Sequence, residues 1–197
     1  MASDNKTEQK TPKRCHWCKG DDLYQRYHDD EWGVPTRDNI ALFELLNLEG
    51  MQAGLSWLTI LKKRAHMVDT FYQFDPERLA ECGERDLKRW LQDAGVIRHR
   101  GKLGAIITNA QAYLKMPEDF SEFVWAFVGG APKQNEFHSK SDVPSETAVS
   151  GEMSKTLKKQ GFKFVGPTIC YAFMQSAGLV NDHVQDCYRY KECKKLG

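Results

Sequence analysis

Along most of this chain apolar residues recur at intervals of three and four, the spacing of a helix face, and alternation of the kind that marks strands is nearly absent. Leu42, Leu45, Leu46 and Glu49 share one face of a first clear helix, which glycines at 50 and 54 are expected to close. Ser56 is placed to cap a second helix carrying Trp57, Ile60, Leu61, Val68 and Phe71 inward. Asp75-Pro76-Glu77 sets a capping residue before a first-turn proline, and Gly83 is expected to end that short segment as a left-handed cap. Helices are predicted through Leu87, Trp90, Leu91 and Ala94 to Gly95, then through Leu103, Ile106, Ile107, Ala110 and Leu114 to Pro117. Phe120 to Val128 makes another, stopped by Gly129-Gly130, and polar residues 129–150 read as one long surface loop. Ser150 is expected to open a helix ending at Gln160-Gly161, and Pro167 to start one through Ala177. The pattern therefore predicts an all-α fold of about eight helices, with no repeat period.

Length and composition narrow this picture. The 197 residues suit one ordinary domain or two small lobes, and 41% hydrophobic with 28% charged residues excludes disorder over the whole chain. Residues 1–13 read as a flexible tail, 14–190 as the helical domain and 191–197 as a polar tail. No apolar run approaches the ~20 residues that cross a bilayer, and the N-terminus lacks the core of a signal peptide, so a soluble, cytoplasmic protein with no membrane partner is expected. A net charge of +1 means that any nucleic-acid surface has to be a local patch.

Three constellations can carry chemistry. Cys15 and His28 near the start pair in kind with His183-x-x-x-Cys187 near the end. Two thiolates and two imidazoles complete a tetrahedral zinc site of the closed, structural type. Buried reduced cysteines with surface histidines are the plain alternative, and Cys18, in Cys15-x-x-Cys18, can replace His28 by spacing. The second constellation is the aromatic group Trp17, Tyr24, Tyr27, Trp32 and Trp57 around Glu49. Glu49 lies on an apolar face late in its helix, where both burial and the dipole oppose a negative charge, so it is a candidate to bind a planar cation among electron-rich rings. The alternative is an earlier helix end, with Glu49 in water and the rings as core. The third is Lys158-Lys159-Gln160-Gly161-Phe162-Lys163-Phe164-Val165-Gly166-Pro167-Thr168, a helix, tight hairpin and helix N-terminus suited to a phosphate backbone. Lys62-Lys63-Arg64 and Arg98-His99-Arg100-Gly101-Lys102 are further positive runs, of a kind that often is only a solvated face.

Taken together these stretches resemble the 3-methyladenine DNA glycosylase I family, the constitutive alkylation-repair glycosylases of bacteria, within the helix-hairpin-helix superfamily. The resemblance runs from about Arg14 to Cys187 and rests on Arg14-Cys15, Tyr27-His28-Asp29, Glu31-Trp32-Gly33-Val34-Pro35, Leu48-Glu49-Gly50 and Gln52-Ala53-Gly54-Leu55-Ser56-Trp57. It continues through Gln92-Asp93-Ala94-Gly95, Ile97 to Lys102, Gly161 to Gly166 and Val180-Asn181-Asp182-His183-Val184. It implies a helix-hairpin-helix near residues 150–178 and one structural zinc on Cys15, His28, His183 and Cys187, with Cys18 a departure from the family pattern. It implies also that Glu49, the catalytic assignment, and Tyr27 contact a flipped base, that Trp57 stacks on it, and that Trp17 and Tyr24 line the pocket. Leu55 is implied as the wedge in the duplex, with Lys163, Gly166 and Thr168 on the DNA. Many superfamily relatives carry an aspartate where this chain has Asn181, and strand-cleaving relatives a lysine where it has Thr168. The activity implied is hydrolysis of the N-glycosidic bond of 3-methyladenine in double-stranded alkylated DNA by a monomer, with the free base as product. A non-catalytic damage-binding module and a zinc hydrolase are the rival readings.

Overall fold

The computed structural model describes residues 12–196. They form a mostly helical protein: α1 Asp22–Asp30, α2 Asn39–Gln52, α3 Trp57–Thr70, α4 Pro76–Ala80, α5 Glu84–Gln92, α6 Arg100–Tyr113, α7 Phe120–Ala126, α8 Ala148–Lys159, α9 Pro167–Ser176 and α10 Tyr188–Lys194. Where the sequence carries a side-chain cap, the helix begins there. Ser56 accepts from the Thr59 amide at the start of α3, and Asp75 accepts from the Glu77 and Arg78 amides ahead of Pro76.

The departures have local causes. Helix α1 is headed by Asp21, whose carboxylate takes the Leu23 and Tyr24 amides, although its segment is too polar for its apolar spacing to stand out. Gly50 does not close α2 but lies inside it, where a Cβ would stand 3.1 Å from the Phe164 carbonyl oxygen. The glycine serves close packing rather than termination. Gly83 has extended backbone and is the N-cap of α5, not a left-handed C-cap. Thr147 rather than Ser150 opens α8, by a reciprocal bond between the two residues. The loop 129–150 contains Lys133–Gln134, paired in parallel with Val180–Asn181, and a single 3-10 turn at Lys140–Asp142. The polar tail expected from residue 191 is instead largely helical, since Tyr190 and Cys193 of α10 are buried. Most of the expected 1–13 tail lies outside the described residues; Lys13 offers its carbonyl to the Tyr188 amide at 2.9 Å, fastening the two ends of the chain.

Helix α2 is the centre of the molecule. Every residue from Leu45 to Met51 is buried, and α2 packs against α3, α6, α7 and α9. A helix apolar nearly all round belongs in an interior, so its few polar residues need partners. Asn47 finds one: its side-chain oxygen accepts from Asn109 of α6 at 2.9 Å. Asn109 in turn takes the Lys163 amide at 2.7 Å and donates to the Lys163 carbonyl at 3.2 Å, which pins the α8–α9 turn to the core. Within that turn Gly161 has φ +100° and Phe164 φ +54°, the latter a left-handed conformation that costs a bulky residue on the order of 1 kcal/mol. No helix among the described residues is long and apolar enough to cross a membrane.

Candidate active site and metal centre

A cleft of about 1310 Å³ opens beside the N-terminal end of α1 and the C-terminal end of α2. Trp17, Tyr24, Tyr27, Trp32, Trp57 and Glu49 all line it. The rings form a connected wall: Trp17 lies 4.8 Å from Tyr24 and 5.0 Å from Trp32 between centroids, and Tyr27 lies 5.5 Å from Trp57. All four expected base-contacting aromatics thus meet at one place, although they come from the 3-10 turn His16–Cys18, from α1 and from the start of α3.

Glu49 stands in the last turn of α2, 3% exposed, with its Oε2 atom buried and unpartnered. Burial pushes its pKa up to about 8, against a smaller opposing contribution from the Ser176 hydroxyl. The Trp57 Nε1 proton is also buried without an acceptor. An unpaired carboxyl oxygen and an unpaired donor on a ring-lined cleft are costly unless a ligand completes them. Burial disposes of the alternative in which Glu49 points to water. Asp182, adjacent to the metal-centre candidate His183, is occupied differently: it accepts from Tyr171 at 2.6 Å, Gln175 at 2.8 Å and Asn135 at 2.7 Å, which makes it an anchor for the floor of the cleft.

The thiol and imidazole groups of Cys15, His28, His183 and Cys187 converge, all buried, with ligand atoms within 4.8 Å of one another. Cys187 Sγ lies 3.4 Å from His28 Nε2 and 3.6 Å from His183 Nδ1, and Cys15 Sγ lies 3.6 Å from His183 Nδ1. Metal–sulfur bonds of about 2.3 Å and metal–nitrogen bonds of about 2.0 Å in a tetrahedron give S···N edges of about 3.5 Å, so the donor set fits one ion. The outer atoms agree. His28 Nδ1 faces Asp29 at 2.8 Å and His183 Nε2 faces the Trp32 carbonyl at 2.9 Å, which directs each remaining ring nitrogen to the centre. Burial would raise the Asp29 carboxyl, but Arg14, His28 and Tyr188 outweigh it and hold it at about 2. Cys18 is outside the cluster: its thiol donates to the Cys15 carbonyl at 3.1 Å, which steadies the loop that presents Cys15.

Leu55 stands on the surface, 43% exposed, at the tip of the loop between α2 and α3, next to Gly54 with φ +76°. Lys163 and Thr168 are exposed and Gly166 caps α9; Thr168 Oγ1 bonds Glu146 at 3.3 Å. The other positive runs are largely consumed by structure. Lys62 pairs with Asp21, Lys63 donates to the Ala94 carbonyl, Arg64 pairs with Glu31 and Glu44, and Arg100 with Glu84. Lys102 is buried. The Asn47–Asn109 pair was not legible in the sequence, because a polar residue on a helical pattern does not say which neighbour will partner it, and Lys102 showed there only as part of a positive run.

A model of the methyladenine glycosylase family matches residues 17–190. DNA-3-methyladenine glycosylase 1 of Escherichia coli is 55% identical over 181 residues, which is 90% of this chain and 97% of that protein. The DNA-3-methyladenine glycosylase of Haemophilus influenzae is 51% identical, over 88% of this chain and 96% of its own. A crystal structure of a 3-methyladenine DNA glycosylase I, 54% identical, superimposes with a TM-score of 0.88 over 89% of this chain and 98% of that one. With the model covering nearly all of the described residues, this chain belongs to the methyladenine glycosylase family.

Proposed function

We propose that this protein is a DNA-3-methyladenine glycosylase of base-excision repair, which hydrolyses the N-glycosidic bond of 3-methyladenine in alkylated double-stranded DNA and leaves an abasic site. The observation that carries this reading is Glu49: an unpaired carboxyl oxygen, buried, inside an aromatic cleft sized well beyond a purine. N3-methylation gives adenine a positive charge in the nucleotide, and a planar cation is the ligand that satisfies both the carboxylate and the ring faces. Neutral adenine offers no charge to offset the desolvation of an ionised Glu49, so discrimination follows from the same feature that costs stability.

The base has to leave the stack to reach the cleft. Leu55 is the wedge that fills the vacated position, and the α8–α9 unit is a helix-hairpin-helix whose Lys163, Gly166 and Thr168 receive the phosphate backbone at the N-terminus of α9. In the pocket Trp57 stacks on the base, Tyr27 and Glu49 contact its edge, and Trp17 and Tyr24 complete the wall. The C1′–N bond breaks with its electron pair passing to the base, which departs neutral as free 3-methyladenine. Water adds to the sugar carbon and loses a proton. Because the leaving group is already charged, no strong acid is required of the protein, and Thr168, which offers no amine, favours a monofunctional hydrolase over a lyase.

Cys15, His28, His183 and Cys187 are assigned to one structural zinc, which when bound supplies cross-linking of the chain ends and takes no part in the reaction, all four positions being protein ligands. A monomer acting in the cytoplasm is the working form. The reading is tested by incubating the protein with methylated duplex DNA and chromatographing the soluble fraction. Free 3-methyladenine with strands intact until alkali is the expected outcome; tight binding without release would make the protein a damage-binding module, and loss of release on chelation with the fold retained would favour a zinc hydrolase.

A further inference from the structure

The ε-ammonium of Lys102 is where the molecule holds a charge at evident cost outside the base cleft. Lys102 is 7% exposed and sits in the first turn of α6, whose N-terminal dipole opposes a cation. Burial lowers its pKa. An apolar residue of similar length would avoid both penalties. What the ammonium gains is two carbonyls at the end of α2, Met51 at 2.9 Å and Ala53 at 2.5 Å. Those carbonyls belong to the stretch that separates Glu49, in the base cleft, from Leu55, on the surface. The loop's own restraints are slight: the Leu55 amide bonds Gln52 at 2.6 Å, Gly54 has φ +76°, and Ser56 is committed to capping α3. Among the described residues Lys102 is the side chain that hydrogen-bonds this loop from another element, and the helix it belongs to is led by His99, whose ring lies 6.2 Å from that of Phe164 in the α8–α9 turn.

We infer that Lys102 is a positioning residue, which fixes the Ala53–Ser56 loop so that Leu55 meets a duplex already in register with the base cleft and the α8–α9 turn. The inference rests on the reading of Leu55 as the wedge. A side chain that must enter a base stack at one position cannot sit on a loop free to wander, because misplacement by about 1 Å can lower a rate on the order of a hundredfold. Single-stranded DNA, whose bases are unpaired and leave no opposite strand for a wedge to engage, makes far less of such a demand. Lys102 therefore separates the two substrates, whereas a residue that only stabilises the fold would affect them alike.

The experiment compares Lys102→Met, Lys102→Arg, Leu55→Ala and Lys102→Met/Leu55→Ala in single-turnover release of 3-methyladenine from methylated duplex and methylated single-stranded DNA. Lys102→Met is expected to slow release from duplex between about tenfold and a hundredfold, while single-strand release stays within about twofold. Lys102→Arg, which keeps the charge but cannot seat its broader head on both carbonyls, should fall between. In the Leu55→Ala background the loss from Lys102→Met should shrink to within about twofold, since a tether without a wedge positions nothing. Equal slowing on both DNA forms, or full additivity with Leu55→Ala, would overturn the inference. If Lys102→Met does not fold, Lys102→Arg carries the same comparison, and duplex release at the wild-type rate in that variant would overturn it. Should Leu55→Ala leave duplex release unchanged, the wedge reading falls and this inference with it; impaired Leu55→Ala beside unimpaired Lys102 variants would remove this inference alone.

Discussion

Glu49 shows how much a single residue can state and what it leaves to neighbours. Its pKa of about 8 is raised by burial, and the sign of the consequence for stability can be worked out. Below the unfolded value near 4.5 the group is neutral in both states and carries no ionisation penalty. Between that value and about 8 the unfolded chain has released a proton that the folded protein keeps, so stability falls as pH rises, by about 1.4 kcal/mol per unit for this group alone, and levels off above 8. Urea unfolding of wild type and Glu49→Gln at several pH values between 5 and 9 should show Glu49→Gln gaining on wild type as pH rises to about 8 and the difference between them levelling off above that. A constant difference would mean that Glu49 is not the buried acid described. The catalytic counterpart has the opposite slope: only the ionised carboxylate attracts a cationic base, so kcat/KM for excision should climb about tenfold per unit up to about pH 8 and then flatten, while Glu49→Gln should be slower at its plateau and lack that limb. The candidate itself was legible in the sequence, because an acid on an apolar helix face late in the helix is already anomalous. Lys102 was not. A lysine in a run of basic residues reads as a surface charge, and only the end of α2, fifty residues earlier in the chain, gives it a buried purpose.

Among the elements, those punctuated by chemistry of their own were readable and those defined by contact were not. Ser56, Asp75-Pro76 and Pro167 begin helices where the sequence puts them, since a cap or a fixed φ acts within one turn. Gly50 misled because a glycine signals a helix end and a tight crossing equally well, and which applies depends on what lies 3.1 Å away. The short α1 and α10 carry too few apolar residues to reveal a period, and the two-residue ladder is made by a partner 47 residues distant. The Gly50 crossing gives a test at this scale. An alanine there gains about 1 kcal/mol in helix propensity but overpacks the Phe164 backbone, which Asn109 keeps from yielding, at a cost of about 1–3 kcal/mol. Gly50→Ala should thus be destabilising by up to about 2 kcal/mol. Gly104→Ala in α6, with nothing within 4 Å of its Cβ, should stabilise by up to about 1 kcal/mol. Denaturant midpoints of both variants check the contrast; matching shifts would remove the close crossing of α2 and the α8–α9 turn from the account.

Across the whole molecule, two closures define the architecture: the chain ends meet at the Cys15, His28, His183 and Cys187 cluster, and the aromatic wall from the N-terminal third meets Glu49 and Asp182 in one cleft. Trp17 and His28 link the two, with ring centroids 5.3 Å apart, so the cluster holds up one side of the base cleft. Purified protein should carry one zinc per chain by mass spectrometry under native conditions. Cys187→Ser should lose it and melt lower, because a metal held only by the folded state stabilises that state, and Cys18→Ala should keep it. Full occupancy in Cys187→Ser would refute the assignment. The most direct test of the central claim is the identity and number of bases released from methylated duplex DNA. Wild-type protein is predicted to free 3-methyladenine repeatedly, many molecules per protein, leaving adenine in place, and Glu49→Gln to do so far more slowly. Release of no purine beyond the spontaneous rate, or equal release by wild type and Glu49→Gln, would contradict it.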